Sequence, residues 1–438
     1  MFFDAASRAL AHEVVDAVFD HVERIESRPV VDWRPAEELR LRLGGATPME
    51  CVRQLLDNAI QLHHPSYMGH QVCPPFPTAV IADFVISALN QSTAVWEMSP
   101  LGTVIEQEMI RWLIERANYP DTALGTAVSG GSAANLTGLL AARARRPDRR
   151  VVVCGADTHY SVARAAAIMG AEAVSVPTDE AHRMDMRALA ALLETVEPMA
   201  IVATAGSTAT GSFDDLRAIA ALRDRHDTWL HVDAAHGASV LLSPSLRHLV
   251  DGLDLSDSLS WDPHKMMWMP LSLGAILVRD GVWLRRAFAA DAPYLFHGTG
   301  NLGEMTIQCS KRADAIKLWL TLQIAGTEPI ARALDHVTAM TRYLYERVAA
   351  SDDFEAMHEP EFNIFCFRHR RGDNAQLRET LIRSGAAWIT STVLKGERVL
   401  RVTIINPRTE KKHIDGLLRS LAPQGGERVA PQAPGEGR

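Results

Sequence analysis

The chemistry of this chain gathers around one lysine. Lys265 closes the run Ser260-Trp261-Asp262-Pro263-His264-Lys265 and is followed by the apolar Met266-Met267-Trp268-Met269-Pro270. An ammonium group is costly to bury, so apolar flanks favour the neutral amine, a nucleophile toward an aldehyde carbon. Upstream, in Trp229-Leu230-His231-Val232-Asp233-Ala234-Ala235-His236-Gly237, a short apolar strand ends in the carboxylate of Asp233 and then in small residues. A third stretch, Ser129-Gly130-Gly131-Ser132-Ala133-Ala134-Asn135, stands ahead of a helix from Leu136 to Arg143. Glycines there remove bulk, and a helix start offers free N–H groups to an anion. Taken alone, such a turn is only a turn, since it lacks the spacing of a dinucleotide fingerprint or a Walker loop.

An aldehyde-binding lysine, a carboxylate that keeps a ring nitrogen protonated and a phosphate cup are together what pyridoxal 5'-phosphate (PLP) requires. His231-Val232-Asp233-Ala234-Ala235 followed by Asp262-Pro263-His264-Lys265 resembles the group II PLP-dependent amino-acid decarboxylases, which include aromatic amino-acid, glutamate, cysteine-sulfinate and diaminobutyrate decarboxylases. Further matches follow in the family's order: the Ser129 to Asn135 stretch, Asp157-Thr158-His159-Tyr160-Ser161, Thr204-Ala205-Gly206-Ser207-Thr208 and Gln308-Cys309-Ser310-Lys311-Arg312-Ala313-Asp314-Ala315. The resemblance runs from about His64 to Arg408. It implies an α/β fold of PLP fold-type I (aspartate-aminotransferase-like), with a large domain built on a mainly parallel sheet and a small α+β C-terminal domain. It also implies a homodimer that converts an L-amino acid to its amine and carbon dioxide.

Carried over residue by residue, the resemblance makes Lys265 the cofactor's lysine, sets Asp233 at the ring nitrogen, stacks His159 on one ring face and puts Ala235 against the other. Ser132, Ala133, Ala134, Thr208 and His264 match contacts to the phosphate or on the lysine side. His159 would also bring a proton-handling group near the reacting carbon. For the substrate, His70, Gln71, Cys73 and Phe76 fall where the family lines its side-chain pocket, with Asn90, Trp96 and Glu97 nearby. Polar His70 and Gln71 suit an acidic or amino-bearing side chain better than a bare aromatic one. Arg401, in Leu400-Arg401-Val402-Thr403, resembles an arginine used toward a substrate carboxylate; a structural ion pair on a strand is the other reading. No metal is expected, because His63-His64 and His70 lack partners at ligand spacing.

One segment departs from the family. Many members carry a mobile loop with a tyrosine that serves as proton donor. Tyr294 to Gln308 is here shorter, has Gly298, Gly300 and Gly303, and offers no match to that tyrosine. His297 and His159 are the candidate donors. A changed donor opens alternatives on the same scaffold: a PLP-dependent lyase, an aminotransferase or a carbanion-oxidising, aldehyde-forming enzyme. A PLP-binding subunit without turnover is disfavoured by Lys265, Asp233 and His159 occurring together.

The rest of the chain must position these groups. At 438 residues with 47% apolar and 22% charged content it has material for two or three packed units. Four short apolar runs, Val151–Cys154, Ala173–Val176, Ala200–Ala203 and Trp229–Val232, alternate with helical segments and imply a mainly parallel sheet. The divisions expected are an N-terminal helical segment (1–76), a large PLP-binding domain (77–325), a small C-terminal domain (326–422) and a disordered tail (423–438) rich in Pro, Gly and Gln. Within these, an amphipathic helix is expected from Ala5 to Ile25, a helix from Val104 to Ala117, a long helix from Ile330 to Ala350 and a strand from Val399 to Ile405. A formal charge of −8 without long like-charge blocks argues against a nucleic-acid surface, and the Arg143 to Arg150 cluster reads as a solvated loop. Five cysteines without paired spacing, no signal peptide and no membrane span suggest a cytoplasmic enzyme acting on a small molecule.

Overall fold

The computed structural model describes residues 3–39, 44–289 and 299–422. His297 and the tail from 423 lie outside these described residues. Four helices come first: α1 (Ala5–Glu23), α2 (Pro48–Asn58), α3 (Pro77–Leu89) and α4 (Pro100–Arg116). Strands and helices then alternate as β1 (Leu124–Val128), α5 (Gly131–Arg145), β2 (Val151–Gly155), α6 (Ser161–Ile168), β3 (Glu172–Val176), α7 (Met186–Leu193), β4 (Ala200–Thr204), α8 (Leu216–Arg225) and β5 (Trp229–Asp233). They continue through β6 (Ser258–Trp261), α9 (Pro263–Met266), β7 (Gly274–Val278), α10 (Gly281–Ala287) and α11 (Ala315–Ala325). The last part comprises α12 (Glu328–Ala349), β8 (Phe354–Ala356), β9 (Ile364–His369), α13 (Asn374–Ser384), β10 (Thr390–Leu394), β11 (Glu397–Thr403) and α14 (Lys411–Leu421).

The first seven strands form one sheet in the order β1-β7-β6-β5-β4-β2-β3. β3, β2, β4, β5 and β6 run parallel, and only β7 is antiparallel to its neighbours. Every residue of β4, β5, β6 and β7 is buried, as expected of strands covered by helices on both faces. Register decides where the site forms. Thr204 of β4, Asp233 of β5 and Ser260 of β6 pair side by side, so three strands end in one row at their C-terminal edge. Open α/β sheets bind ligands beyond such an edge. The second sheet, β10-β11-β9-β8, is antiparallel, and α12 buries Ile330, Leu334, Val337, Leu344 and Val348 at helical spacing.

The expected strands fall within a residue of β2 to β5. Strands β1, β6 and β7 were not anticipated, and α5 begins at Gly131, five residues before the apolar run that suggested it. The arginine cluster is also different from expectation. Arg145 and Arg146 both pair with Asp227, while Arg149 donates to the carbonyls of Pro198 and Asp227. These side chains clamp the α5–β2 turn to the turn before β5 instead of standing free in solvent.

Candidate active site

A cavity of about 300 Å³ opens at the row of strand ends. The turn after β1 brings Ser129 to Ala133, the β2–α6 turn brings His159, and β4 with its following turn brings Thr204, Gly206 and Thr208. From β5 come Asp233, Ala235 and His236, and from the end of β6 come Asp262, His264 and Lys265. Leu271 completes the wall.

The floor is a hydrogen-bonded relay centred on Asn135, which is fully buried on α5. Its Nδ2 donates to Asp233 Oδ2 at 2.8 Å and to Ser161 Oγ at 3.0 Å. Its Oδ1 accepts from His231 Nε2 at 3.0 Å. Behind His231, the Trp229 indole donates to Ser258 Oγ, which in turn donates to His231 Nδ1, each at 2.8 Å. The Ser161 N–H donates to His159 Nδ1 at 3.3 Å and its Oγ donates there at 2.8 Å, so in the neutral imidazole Nε2 carries the hydrogen. The second Asp233 oxygen accepts from Ser260 Oγ at 3.0 Å. Gly138 makes the arrangement possible, because a Cβ there would stand 2.6 Å from His231 Nδ1.

Electrostatics follow from these contacts. Burial alone would raise the Asp233 carboxyl, but Lys265, the Asn135 hydrogen bond, His231 and His159 outweigh it and hold it below the usual carboxylate range. Burial pushes His231 down to about 4, and it lowers His159 and His264 as well. The floor therefore presents an anion among neutral imidazoles.

Lys265 stands opposite, partly open to the cavity, with Nζ 3.3 Å from Asp262 Oδ2. The apolar run after it packs away from the amine: Met266, Met267 and Trp268 are fully buried. Asp262 also accepts from the Gly131 N–H at 2.9 Å, which ties the lysine segment to the start of α5. Gly130, at φ 151°, lets the two approach, since a Cβ there would come within 2.9 Å of the His264 ring. His264 Nδ1 donates to the Leu273 carbonyl at 2.8 Å. Other lysines are committed elsewhere: Lys311 to Glu106, Lys317 to Asp314 and Asp83, and Lys395 to Glu180.

These groups fit PLP. A buried carboxylate lies on the floor for a protonated ring nitrogen, an amine is available for the aldehyde, and the first turn of a 15-residue helix, with Ser132, Thr208 and His264, faces the cavity for a phosphate. Of the residues suggested from sequence for the cofactor, Lys265, Asp233, His159, Ser132, Ala133, Thr208, Ala235 and His264 line the cavity, while Ala134 is buried inside α5.

The residues suggested for the substrate lie one layer out, and none of the six lines the cofactor cavity. Cys73 is buried with its thiol on the carbonyls of His264 and Met269 and its pKa pushed up to about 12 by burial. The Phe76 ring packs 5.7 Å from Trp268, and Asn90 caps α3 in the left-handed region at an exposed position. His70 is accessible; its imidazole is lowered by partial desolvation and then by Arg401 and Arg378. Arg401 is 5% exposed, and only its Nη1 is used, toward Thr390 Oγ1 at 3.0 Å and the Gly69 carbonyl at 3.4 Å. Its Nε and Nη2, together with Gln71 Nε2 and Trp388 Nε1, are buried without a partner among the described residues. Among the described residues no carboxylate meets Arg401, so none of them supplies the structural ion pair. Asn135 and His231 stand in the sequence motifs above, and their part in the relay goes beyond what those motifs imply. The spacing of His231 two residues before Asp233 on a strand, which sets both on one face, was the available signal.

Of the glycine-bearing segment from Tyr294 to Gln308, the described part is anchored. Asn301 Oδ1 accepts from the Trp96 N–H at 3.1 Å, the Gly303 N–H donates to the Ala94 carbonyl at 2.9 Å, and Leu302 and Met305 are buried.

Comparison with known proteins agrees with this geometry. A family model described as the pyridoxal-dependent decarboxylase conserved domain matches residues 49–370. Aromatic-L-amino-acid decarboxylase from Bacillus atrophaeus is 30% identical over 440 residues, covering 92% of each chain. L-2,4-diaminobutyrate decarboxylase from Rhizobium meliloti (strain 1021) is 33% identical over 416 residues, 89% of this chain and 83% of that one. The crystal structure of mouse CSAD superposes with a TM-score of 0.88 at 28% identity, covering 95% of this chain and 98% of that one.

Proposed function

The chain belongs to the pyridoxal-dependent decarboxylase family and is a PLP-dependent amino-acid decarboxylase; we propose that Lys265, Asp233 and His159 form its reaction centre and that its substrate bears an acidic or amino-bearing side chain. The observation that carries the assignment is the single cavity in which the Lys265 amine faces the relay-held Asp233 carboxylate. When bound, PLP supplies an aldehyde that takes up amines and a ring that accepts the electron pair left by departing carbon dioxide.

The residues divide that work. Lys265 is the residue that would hold the PLP aldehyde and release it to an incoming amine. Asp233, kept anionic by Asn135 and Ser260, would keep a proton on the ring nitrogen, the charge that lets the ring accept electrons. His159 and Ala235 fix the ring plane, and Ser132, Ala133, Thr208 and His264 take the phosphate. Arg401, with two guanidinium nitrogens unpartnered, receives the substrate carboxylate, and His70 and Gln71 meet the side chain. His297 or His159 returns the proton to the substrate carbon. Both relatives described above are decarboxylases, which favours amine over the transamination or aldehyde outcome.

The proposed working unit is a homodimer. α3 exposes Val80, Ile81, Phe84, Val85 and Leu89, and Ile324 is exposed on α11, which packs against it; an apolar face of this kind calls for a cover, and a second copy supplies it. A cytoplasmic location is supported by five free cysteines, and among the described residues no helix is long and apolar enough to cross a membrane. The test is incubation of the PLP-loaded protein with single amino acids, including L-2,4-diaminobutyrate, L-glutamate, L-aspartate and L-tryptophan, with carbon dioxide release and product mass recorded. Equimolar carbon dioxide and amine from an acidic or diamino substrate is expected; preference for L-tryptophan would overturn the substrate assignment. His297→Phe should divert product toward aldehyde, and an unchanged amine-to-aldehyde ratio would show that His297 is not the donor and leave His159 or a bound water.

A further inference from the structure

His236 lines the same cavity but has no part in the roles assigned above. It is 2% exposed, and its bonding determines its tautomer. Asn363 Nδ2 donates to the Ile404 carbonyl at 3.1 Å and points at the Met266 sulfur at 3.4 Å, so Asn363 Oδ1 is turned to the imidazole and accepts from His236 Nε2 at 2.7 Å. Nε2 therefore carries the hydrogen. Nδ1 is the bare nitrogen, and it is buried without a partner among the described residues. A buried acceptor left unsatisfied costs on the order of 1–3 kcal/mol, so it is an uncommon feature for a chain to keep without use.

The charged groups that act on this ring are Lys265, Arg401 and Asp233. Lys265 is the amine that the substrate amine replaces, and Arg401 is the cation with open nitrogens for a carboxylate. Burial first, then Lys265, push the His236 imidazole down to about 3, so it stays neutral. A neutral acceptor that shares the cavity with Lys265 suits the N–H donor that every amino acid brings on its α-amino group. We propose that His236 is a substrate-positioning residue whose Nδ1 accepts a hydrogen bond from the α-amino group of the incoming amino acid, orienting it toward the carbon held by Lys265. The inference rests on the decarboxylase site described above and adds to it a residue for docking rather than for chemistry.

The test uses PLP-loaded protein and two probes, L-2,4-diaminobutyrate and L-glutamate. Binding is read from the change in absorbance of the lysine-linked cofactor, which is independent of turnover, and kcat and KM are measured beside it. His236→Phe should weaken binding of both probes about tenfold, the worth of one hydrogen bond, with the cofactor absorbance and Tm retained. His236→Gln, which keeps an acceptor, should recover most of the loss. Asn363→Asp gives Nε2–H an anionic partner and favours the imidazolium, in which Nδ1 donates. It should add an acidic limb to kcat/KM that the His236→Gln/Asn363→Asp double variant lacks. Unchanged binding in His236→Phe, a loss confined to one probe, or an acidic limb that persists in the double variant would overturn the proposal. If His236→Phe does not fold, the other two variants decide. Absence of carbon dioxide release with binding intact would count against the decarboxylase reading and leave the His236 reading to stand on the binding data.

Discussion

The floor of this cavity and the layer outside it are built on opposite terms. On the floor, Asp233, Asn135, His231, Ser258, Ser161 and Ser260 satisfy one another almost completely. In the layer outside it, the wall, Arg401 Nε and Nη2, Gln71 Nε2 and Trp388 Nε1, and at the cavity itself His236 Nδ1, are buried with no partner among the described residues. A group that must act at the moment of reaction without reorganising is best held by the chain itself. Groups that wait for a ligand can be completed only by that ligand, and their bonds become available on binding. The contrast therefore separates rate from affinity: the floor should govern kcat and the wall KM.

Removing the residue that joins the two regions should have the largest effect. Lys265→Ala is expected to abolish both the lysine-linked absorbance and turnover. Borohydride reduction and peptide mapping that labelled Lys311, Lys317 or Lys395 instead would break the assignment. Asp233→Asn should come next, with kcat lowered on the order of a hundredfold or more while amino-acid binding survives. Near wild-type turnover in that variant would remove the electron-sink role from this residue.

A smaller effect concerns pH. His231 and His236, with pKa values near 4 and 3 in the folded chain, are neutral there but take up a proton near pH 6.5 when unfolded. The unfolded state thus binds more protons between pH 6.5 and about 4. The stability these residues contribute is complete above pH 6.5 and is lost as pH falls through that window. Denaturant unfolding of His236→Gln should show a shallower slope in this range, by about one proton or ~1.4 kcal/mol per pH unit. An unchanged slope would mean that the ring is charged in the folded state.

What could be read from sequence follows the same division. Lys265 and Asp233 were legible because covalent and ring chemistry demand particular residue types, and these sit in compact motifs. The relay was not, because Asn135, His231 and Ser258 come from a helix and two strands and meet only when the strands are in register. Strand β6 was overlooked for a related reason. Its Ser258 and Ser260 break the apolar pattern that marks a buried strand, yet both are buried, one serving His231 and the other Asp233. Strand β1 was hidden likewise by Gly125 and Thr126, the latter donating to Glu106. Polar residues inside a covered sheet obscure the strand and at the same time mark the site. On the wall, family position pointed to Arg401 and Gln71, but their missing partners are visible only in three dimensions.

The most direct test of the division is a paired measurement of kcat and KM, with one amino acid that the enzyme decarboxylates, for Asn135→Ala and Arg401→Gln beside the unaltered protein. Asn135→Ala should lower kcat tenfold or more, the order expected when a preorganised partner is removed, with KM changed by no more than about twofold. Arg401→Gln should raise KM at least tenfold with the smaller change in kcat. An Asn135→Ala variant that changes KM alone, or an Arg401→Gln variant that changes kcat alone, would contradict the account.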